Sequence, residues 1–189
     1  MLFLGVLMAA LDVAIVGPAL PAIGSAFGVD ARALAWVFSI YVLFGLIGST
    51  LLARLSDVYG RRTLYVASVA LFAAGSLAVA LSRSFPALLV GRAVQGFGAG
   101  GIVPVATATV GDVFSLERRG RALGFLGMVF GVAFILGPIL GGVLLRFGWP
   151  LLFLVNLPVA AAVIGGGWRL LPRGRAGARL EFDLPGVLL

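Results

Sequence analysis

The amino-acid sequence predicts an all-α membrane protein built from six transmembrane helices, and two observations carry this prediction. The chain has 189 residues, of which 61% are hydrophobic and 11% are charged, whereas a soluble globular domain usually carries about 25% charged residues. Uncharged stretches also recur along the chain, and each is close to the roughly 20 apolar residues that a helix needs to cross a bilayer. These stretches lack the short alternating pattern that marks the strands of a membrane β-barrel.

Six segments fit the length of a transmembrane helix. The first is predicted at roughly 2–23 and is interrupted by Asp12. The fourth begins near Pro86 and contains Arg92 before its uncharged part. The uncharged stretches of the second to sixth segments are 33–53, 63–82, 93–111, 122–145 and 147–168.

The arginine residues indicate the orientation of these helices. Three of the loop arginines lie on one side of the predicted membrane, at Arg32, Arg83 and Arg146. Ten lie on the other side, at Arg54, Arg61, Arg62, Arg118, Arg119, Arg121, Arg169, Arg173, Arg175 and Arg179. The positive-inside rule therefore predicts that both ends of the chain are cytoplasmic. We expect residues 1–168 to form a six-helix bundle, and residues 169–189 to form a cytoplasmic linker and the start of a truncated seventh helix.

The composition also excludes several classes of function. The chain contains no His and no Cys, and all 14 of its basic residues are Arg. Thiol chemistry, imidazole acid–base catalysis, Schiff bases and Cys/His metal sites are therefore excluded, and we expect no enzymatic activity, metal or cofactor. The net charge of +7 is divided among short clusters between apolar runs. Because a nucleic-acid site requires a basic patch on a folded surface, we expect no nucleic-acid partner.

Asp12 and Arg92 are the two charged residues predicted at membrane depth. Either charge costs about 2.5–3.5 kcal/mol at the centre of a transmembrane helix. One hypothesis is that Asp12 exchanges a proton or meets a cationic substrate, since burial raises the affinity of a carboxyl group for protons. The alternative is that Asp12 pairs with a polar neighbour and fixes the packing, while Arg92 extends outward to the interface. The sharpest structural prediction is a direct or water-bridged contact between Asp12 and Arg92.

The fourth helix presents further polar and small residues beside Arg92. Arg92, Gln95 and Gly96 fall at positions i, i+3 and i+4, so they share one helix face. If the first and last three helices form inverted repeats, the first and fourth helices correspond. Both contain proline, and matching interrupted helices indicate the binding site of a transporter fold.

Two glycine-rich stretches need a separate interpretation. Residues 96–101 match the pattern G-x-G-x-x-G, but a dinucleotide site requires a preceding strand, so we interpret these glycines as a helix-packing face. Gly137 and Gly141 on the fifth helix form a G-x-x-x-G pair that is typical of close helix packing. The intervening Pro138 predicts a kink.

The segment between the second and third helices, residues 53–62, is polar. Asp57 is predicted as an N-cap of the third helix, and Gly60 suits a tight turn. Taken alone, the segment is typical of a solvated loop with arginine anchors.

Together these stretches resemble the major facilitator superfamily, and more narrowly its drug:proton antiporter group with fourteen spans. Residues 11–21 are similar to the motif of the first helix, although Ala14 and Gly17 replace polar residues. Residues 88–100 are similar to the family's motif B. The similarity continues in three further groups: motif A, with Asp57, Gly60, Arg61 and Arg62; motif C, with Gly137, Pro138, Gly141 and Gly142; and the fourteen-span features at 153–158 and Phe182-Asp183.

The resemblance implies proton-coupled efflux of small amphipathic or cationic molecules across the cell (inner) membrane by alternating access. It implies that Asp12, Arg92 and Gln95 couple protons to substrate, and that Asp57 and Arg61 latch the cytoplasmic side. Asp112 is expected as a further partner in this latch. The expected partners are the substrate, protons, membrane lipid and a C-terminal helical bundle. The alternatives are a metabolite exporter of the same fold or an inactive half-transporter fragment.

Overall fold

The computed structural model describes residues 1–171, and this part of the chain is helical. Six helices within it are long and apolar enough to cross a membrane, as predicted. The predicted entry to a seventh helix lies outside the described residues. In chain order the helical segments are α1 Leu2–Phe27, α2 Ala31–Tyr59, α3 Arg61–Ala80, α4 Phe85–Val113, α5 Leu116–Leu145, α6 Leu151–Leu154 and α7 Asn156–Leu170. The last two segments together form the sixth spanning helix, Leu151–Leu170.

The helices form a bundle in which α4 lies between α2 and α3. These two interfaces are the most extensive in the molecule, followed by the interface between α1 and α5. α7 packs against α3 and α1, and α1 also contacts α4 directly. This arrangement brings α1 and α4, which carry the two membrane-depth charges, into one interior.

Glycines account for the close approach of α4 to its neighbours. A Cβ atom on Gly96 would collide with the backbone of Tyr41 on α2, and one on Gly98 would collide with the backbone of Phe72 on α3. The interpretation of residues 96–101 as a packing face is therefore confirmed. On α5, Gly137 is in the same close contact with Ala14 of α1.

Two predicted helix boundaries were wrong because charged residues at the membrane surface continue a helix rather than ending it. α2 runs through Asp57 and ends only at Gly60, whose φ of 92° is a conformation that favours glycine. Asp57 is therefore in the last turn of α2 and is not an N-cap. α5 begins at Leu116, so the arginines predicted in the preceding loop lie in its first two turns. Backbone hydrogen bonds form as well in the interfacial region as in the apolar core. The length of an uncharged stretch is therefore shorter than the helix that contains it.

The sixth crossing runs over Leu151–Leu170, close to the uncharged stretch 147–168 that the sequence indicated. Its first turn, α6, joins α7 through Val155, whose backbone stays in the right-handed helical region and whose N–H donates to the carbonyl of Leu151 at 3.1 Å. Pro158 has no N–H to donate to the carbonyl of Leu154, four residues earlier. One helical hydrogen bond is therefore missing in this turn, and the helix continues past it.

Candidate functional site

A layer of polar residues crosses the bundle between two apolar clusters. On α1, Asp12 follows Met8 and Ala9 of one cluster and precedes Ile15 and Val16 of the other. Polar residues on α3, α4 and α7 lie between the same two clusters. The residues of this layer are at most 3% exposed: Asp12, Ser76, Arg92, Gln95 and Asn156.

The predicted contact between Asp12 and Arg92 is confirmed. Nη1 of Arg92 donates to Oδ2 of Asp12 at 2.8 Å, and the two side chains are 0% and 1% exposed. Neither helix could carry its charge into this apolar interior alone without a large desolvation penalty. The pair therefore compensates two charges that would otherwise each be strongly unfavourable.

Gln95 bridges the two charged groups. Its Oε1 accepts from Nη1 of Arg92 at 2.6 Å, and its Nε2 donates to Oδ1 of Asp12 at 2.7 Å. The two neighbours require opposite ends of the amide, because a guanidinium only donates and a carboxylate only accepts. Gln95, which the sequence predicted beside Arg92, thus contacts both charges.

Two further residues complete the layer, and the sequence analysis did not assign either to the site. Nδ2 of Asn156 on α7 donates to Oδ1 of Asp12 at 2.9 Å. The hydroxyl oxygen of Ser76 on α3 accepts from Nε2 of Gln95 at 2.7 Å and from Nδ2 of Asn156 at 3.4 Å. Asn156 is the one asparagine of the whole chain, and an amide within an apolar run is the signal that could have identified it.

Arg92 is held on its other sides by an aromatic ring and a backbone carbonyl. Its guanidinium lies over the ring of Tyr41, 4.1 Å from the centroid, and its Nε donates to the carbonyl of Val37 at 3.2 Å. Within the described chain, Nη2 of Arg92 has no hydrogen-bond partner. The guanidinium therefore retains two N–H groups that could bind an incoming acceptor.

An apolar cleft lies next to this layer, between α1, α2, α4 and α5. It has a volume of about 330 Å³ and is lined by residues that include Val13, Tyr41, Val103, Phe130 and Phe134. Its lining contains no charged side chain. Tyr41 belongs to both features, since it lines the cleft and stacks on Arg92. Its phenol ring is the physical connection between the cleft and the ion pair.

A second charged cluster lies at one end of the bundle, where α2 and α4 end and α3 begins. Arg61 contacts Asp57 at 2.5 Å and Asp112 at 3.1 Å, and its Nη1 donates to the hydroxyl of Ser56 at 2.5 Å. The structure thus places Asp57 and Asp112 of the predicted latch in contact with Arg61. Their side chains are 23–59% exposed, unlike those of the buried layer.

Arg62 points away from this cluster. Its Nη1 donates to the carbonyl of Trp168 at 3.1 Å, and its guanidinium lies 4.8 Å from the centroid of the Trp168 ring. Arg62 therefore joins α3 to the end of α7 rather than to Asp57 or Asp112.

The glycines of the predicted motif C divide into two groups according to their surroundings. Gly137 and Gly141 both face α1, and an added Cβ on Gly141 would lie 3.6 Å from Pro18. Gly142 has open space on its Cβ side. Pro138 lies within α5, which continues through it. The first two glycines therefore set the spacing between α1 and α5.

The described residues include no group of three His, Cys, Asp or Glu side chains that could hold a metal ion. The chemistry available to the buried layer is proton exchange at a carboxylate, ion pairing and hydrogen bonding.

These observations define an integral membrane protein whose helical bundle contains a buried carboxylate–guanidinium pair. The model of the Major Facilitator Superfamily matches residues 2–185, and the chain belongs to this superfamily. It is 38% identical over 98% of its length to the uncharacterized MFS-type transporter YfiU of Bacillus subtilis, and 34% identical over 85% of its length to Multidrug resistance protein 3 of the same organism. It is 30% identical over 98% of its length to the riboflavin transporter RibZ of Clostridioides difficile.

A solved structure shows the same fold. The crystal structure of the human organic anion transporter MFSD10 is 25% identical and superposes with a TM-score of 0.78, covering 96% of this chain and 50% of that protein. The chain spans 36%, 31% and 41% of the lengths of YfiU, Multidrug resistance protein 3 and RibZ. It therefore corresponds to a part of these transporters.

Proposed function

We propose that this chain forms one half of a transporter that exports small amphipathic or cationic molecules in exchange for protons. The observation that carries this proposal is the buried ion pair between Asp12 and Arg92, which lies inside two membrane-spanning helices beside an apolar cleft. A transporter that uses a proton gradient requires a titratable group inside the membrane, and intramembrane charges commonly mark such pathways.

Asp12 would accept the proton, and Arg92 would respond to it. Protonation removes the negative charge of Asp12, so the attraction that holds the guanidinium weakens. Arg92 keeps its acceptors on Gln95 and Val37 and is free to shift towards them. Tyr41 stacks on Arg92 and lines the cleft, so movement of the guanidinium would change the shape of the cleft.

The apolar cleft supports an amphipathic substrate. Its aromatic and aliphatic lining would bury the apolar part of a small molecule. A cationic group could take the place of Arg92 beside Asp12. One relative is named Multidrug resistance protein 3, of Bacillus subtilis, and another is named efflux pump dotC, of Dothistroma septosporum; these names support export of small molecules.

A metabolite exporter is the second candidate, and the uncharged lining of the cleft favours it. A neutral planar metabolite would need no charged partner in this half of the protein. The relative RibZ is named a riboflavin transporter. A cationic dye and a neutral flavin therefore form a suitable pair of test substrates.

Alternating access would require a second helical bundle. We propose that a C-terminal bundle packs against the face formed by α2 and α5, which expose many large apolar residues, and that this half is inactive alone. We also propose that the protein lies in the cell (inner) membrane with both ends of this chain in the cytoplasm. On that side Asp57, Arg61 and Asp112 would form the latch that closes the cytoplasmic entrance. Proton coupling would involve the packing of α1 on α5 at Gly137 and Gly141.

Transport measured in vesicles tests this proposal. The complete gene product is reconstituted, a pH gradient is imposed, and movement of the cationic dye and of the flavin is followed. Asp12→Asn should abolish the response to the pH gradient. Asp30→Asn is the matched control, because Asp30 caps α2 outside the buried layer and Asn is an equally good capping residue.

Equal gradient-driven transport by wild type and Asp12→Asn would mean that Asp12 is structural and that coupling occurs elsewhere. Gradient-driven movement of the flavin and not of the dye would favour the metabolite exporter. Transport of both compounds with no dependence on the pH gradient would contradict proton coupling.

A further inference from the structure

We infer that Asn156 and Ser76 are positioning residues that determine which oxygen of Asp12 receives the proton. This inference rests on the proposed proton coupling and concerns the same site. It assigns a role to α3 and to the sixth crossing, which the pairing of Asp12 with Arg92 does not by itself involve.

The two carboxylate oxygens of Asp12 have different surroundings. Oδ1 accepts two hydrogen bonds, from Gln95 at 2.7 Å and from Asn156 at 2.9 Å. Oδ2 accepts one hydrogen bond, from Arg92 at 2.8 Å. The donors to Oδ1 are neutral amides, whereas the donor to Oδ2 carries the charge of the ion pair.

This difference directs an incoming proton to Oδ2. A proton on Oδ1 would face two amide N–H groups, which donate and cannot accept. Oδ2 keeps a lone pair that is not used by Arg92. A proton at Oδ2 also lies next to the guanidinium and therefore acts directly on the ion pair. If Asn156 were absent, Oδ1 would have a free lone pair and the proton could bind without disturbing Arg92.

Ser76 holds the two amides in this orientation. Its hydroxyl oxygen accepts from Nε2 of Gln95 and from Nδ2 of Asn156, so both nitrogens face Asp12. Asn156 is the first residue of α7, and its amide nitrogen lies 3.4 Å from the hydroxyl oxygen of Ser76. The amide of Asn156 thus ties the sixth crossing to the carboxylate on α1.

Few charged or titratable groups lie around Asp12. α4 contributes the guanidinium of Arg92, and α2 contributes the phenol of Tyr41, which stacks on that guanidinium. α3 and α7 contribute neutral groups, Ser76 and Asn156. Within the described chain, the hydrogen bonds and ion pair of Asp12 involve no second carboxyl group.

Infrared difference spectroscopy across a pH titration of the complete gene product tests this inference without measuring transport. The C=O stretch of a protonated Asp12 is assigned by its loss in Asp12→Asn. In wild type the proton is on Oδ2, so Oδ1 is the C=O oxygen and accepts two hydrogen bonds, which lower its stretching frequency. Asn156→Leu should raise this frequency.

Ser76→Ala should shift the band in the same direction by a smaller amount. Ser68→Ala is the matched control, since Ser68 is on the same helix, is equally buried and bonds to the carbonyl of Leu64 within α3; it should leave the band unchanged. If Asn156→Leu does not fold, Ser76→Ala and Asn156→Gln carry the test.

An Asp12 band that is the same in wild type, Asn156→Leu and Ser76→Ala would overturn the inference. So would equal shifts in Ser68→Ala and Ser76→Ala, or a carboxyl band that never appears while the protein is folded. A band that shifts as expected in a protein without gradient-driven transport would support the positioning role and contradict the proposed function.

Discussion

Residues 1–171 contain two Asp–Arg clusters, and they differ in how far water reaches them. Asp12 and Arg92 are 1% and 0% exposed, whereas the side chains of Arg61 and Asp112 are 23% and 59% exposed. Water solvates the second pair whether or not it is formed, so its net contribution is about 0.2–1 kcal/mol. Breaking a buried pair leaves a charge without compensation and costs about 3–5 kcal/mol. The same two residue types thus form a stable internal element in one place and an easily opened contact in the other.

In the transport cycle proposed above, the two clusters would serve different steps. A latch at the ends of the helices would have to open and close repeatedly, and a weak solvated pair would permit this. The buried pair would change state when a proton or cation neutralises one partner. Three predictions test this comparison, beginning with the largest effect.

Removing the buried carboxylate should cause the largest loss of stability. Asp12→Ala leaves Arg92 buried without its anionic partner and should lower the free energy of unfolding by about 3–5 kcal/mol. Denaturant titration of the protein in detergent micelles measures this quantity. The double variant Asp12→Ala/Arg92→Met removes both charges and should be more stable than Asp12→Ala alone. Strict additivity of the two single changes would show that the pair is not energetically coupled.

An added methyl group between α2 and α4 should have an intermediate effect. In Gly96→Ala the new Cβ meets the backbone of Tyr41, and overpacking of this kind costs about 1–3 kcal/mol. The substitution should also displace the Tyr41 ring that stacks on Arg92, and so disturb the packing around the buried ion pair. Gly111→Ala on the same helix is the control, because its Cβ position is open, and it should be neutral or stabilising by up to about 1 kcal/mol. Equal losses in both variants would contradict the role of close helix contact.

Neutralising the exposed cluster should have the smallest effect on stability. Asp112→Asn removes one partner of Arg61 and should cost less than about 1 kcal/mol at low salt. The cost should shrink further in 1 M salt, where screening extends only about 3 Å. Thermal unfolding at both salt concentrations measures this, with Asp112→Glu as the charge-preserving control. A large loss that salt does not reduce would mean that this pair behaves like the buried one.

Much of the buried site could be predicted because membrane burial makes charges conspicuous. Asp12 and Arg92 interrupt long apolar segments, and neither is stable there alone, so their pairing follows from composition and depth. Gln95 follows from its helical spacing to Arg92. Ser76 and Asn156 could not be predicted in the same way, since a hydroxyl or amide within an apolar helix can bond to its own backbone. Their contacts with Gln95 and Asp12 join residues that are 19 and 144 positions apart.

The helix ends show the same limit. An uncharged stretch measures the apolar core of a membrane, not the length of a helix, so α2 and α5 extend through charged turns that the sequence analysis assigned to loops. The interpretation of Asp57 as an N-cap was wrong for this reason: Asp57 pairs with Arg61 from within the last turn of α2. Arg62, the next residue of the predicted motif A, contacts Trp168 instead of Asp57 or Asp112.

By itself the sequence determined that the described part of the chain is a membrane bundle of six crossings with two internal charges, because hydrophobic length and the cost of burying a charge are local properties of the chain. The tertiary structure decided which neutral side chains complete the hydrogen bonding of the charged groups inside the bundle. It also decided that Tyr41 lies between the ion pair and the cleft. These outcomes depend on how closely the glycines of α4 allow α2 and α3 to approach, and on the packing of α7 against α3 and α1. Such contacts are set only when all the helices pack together.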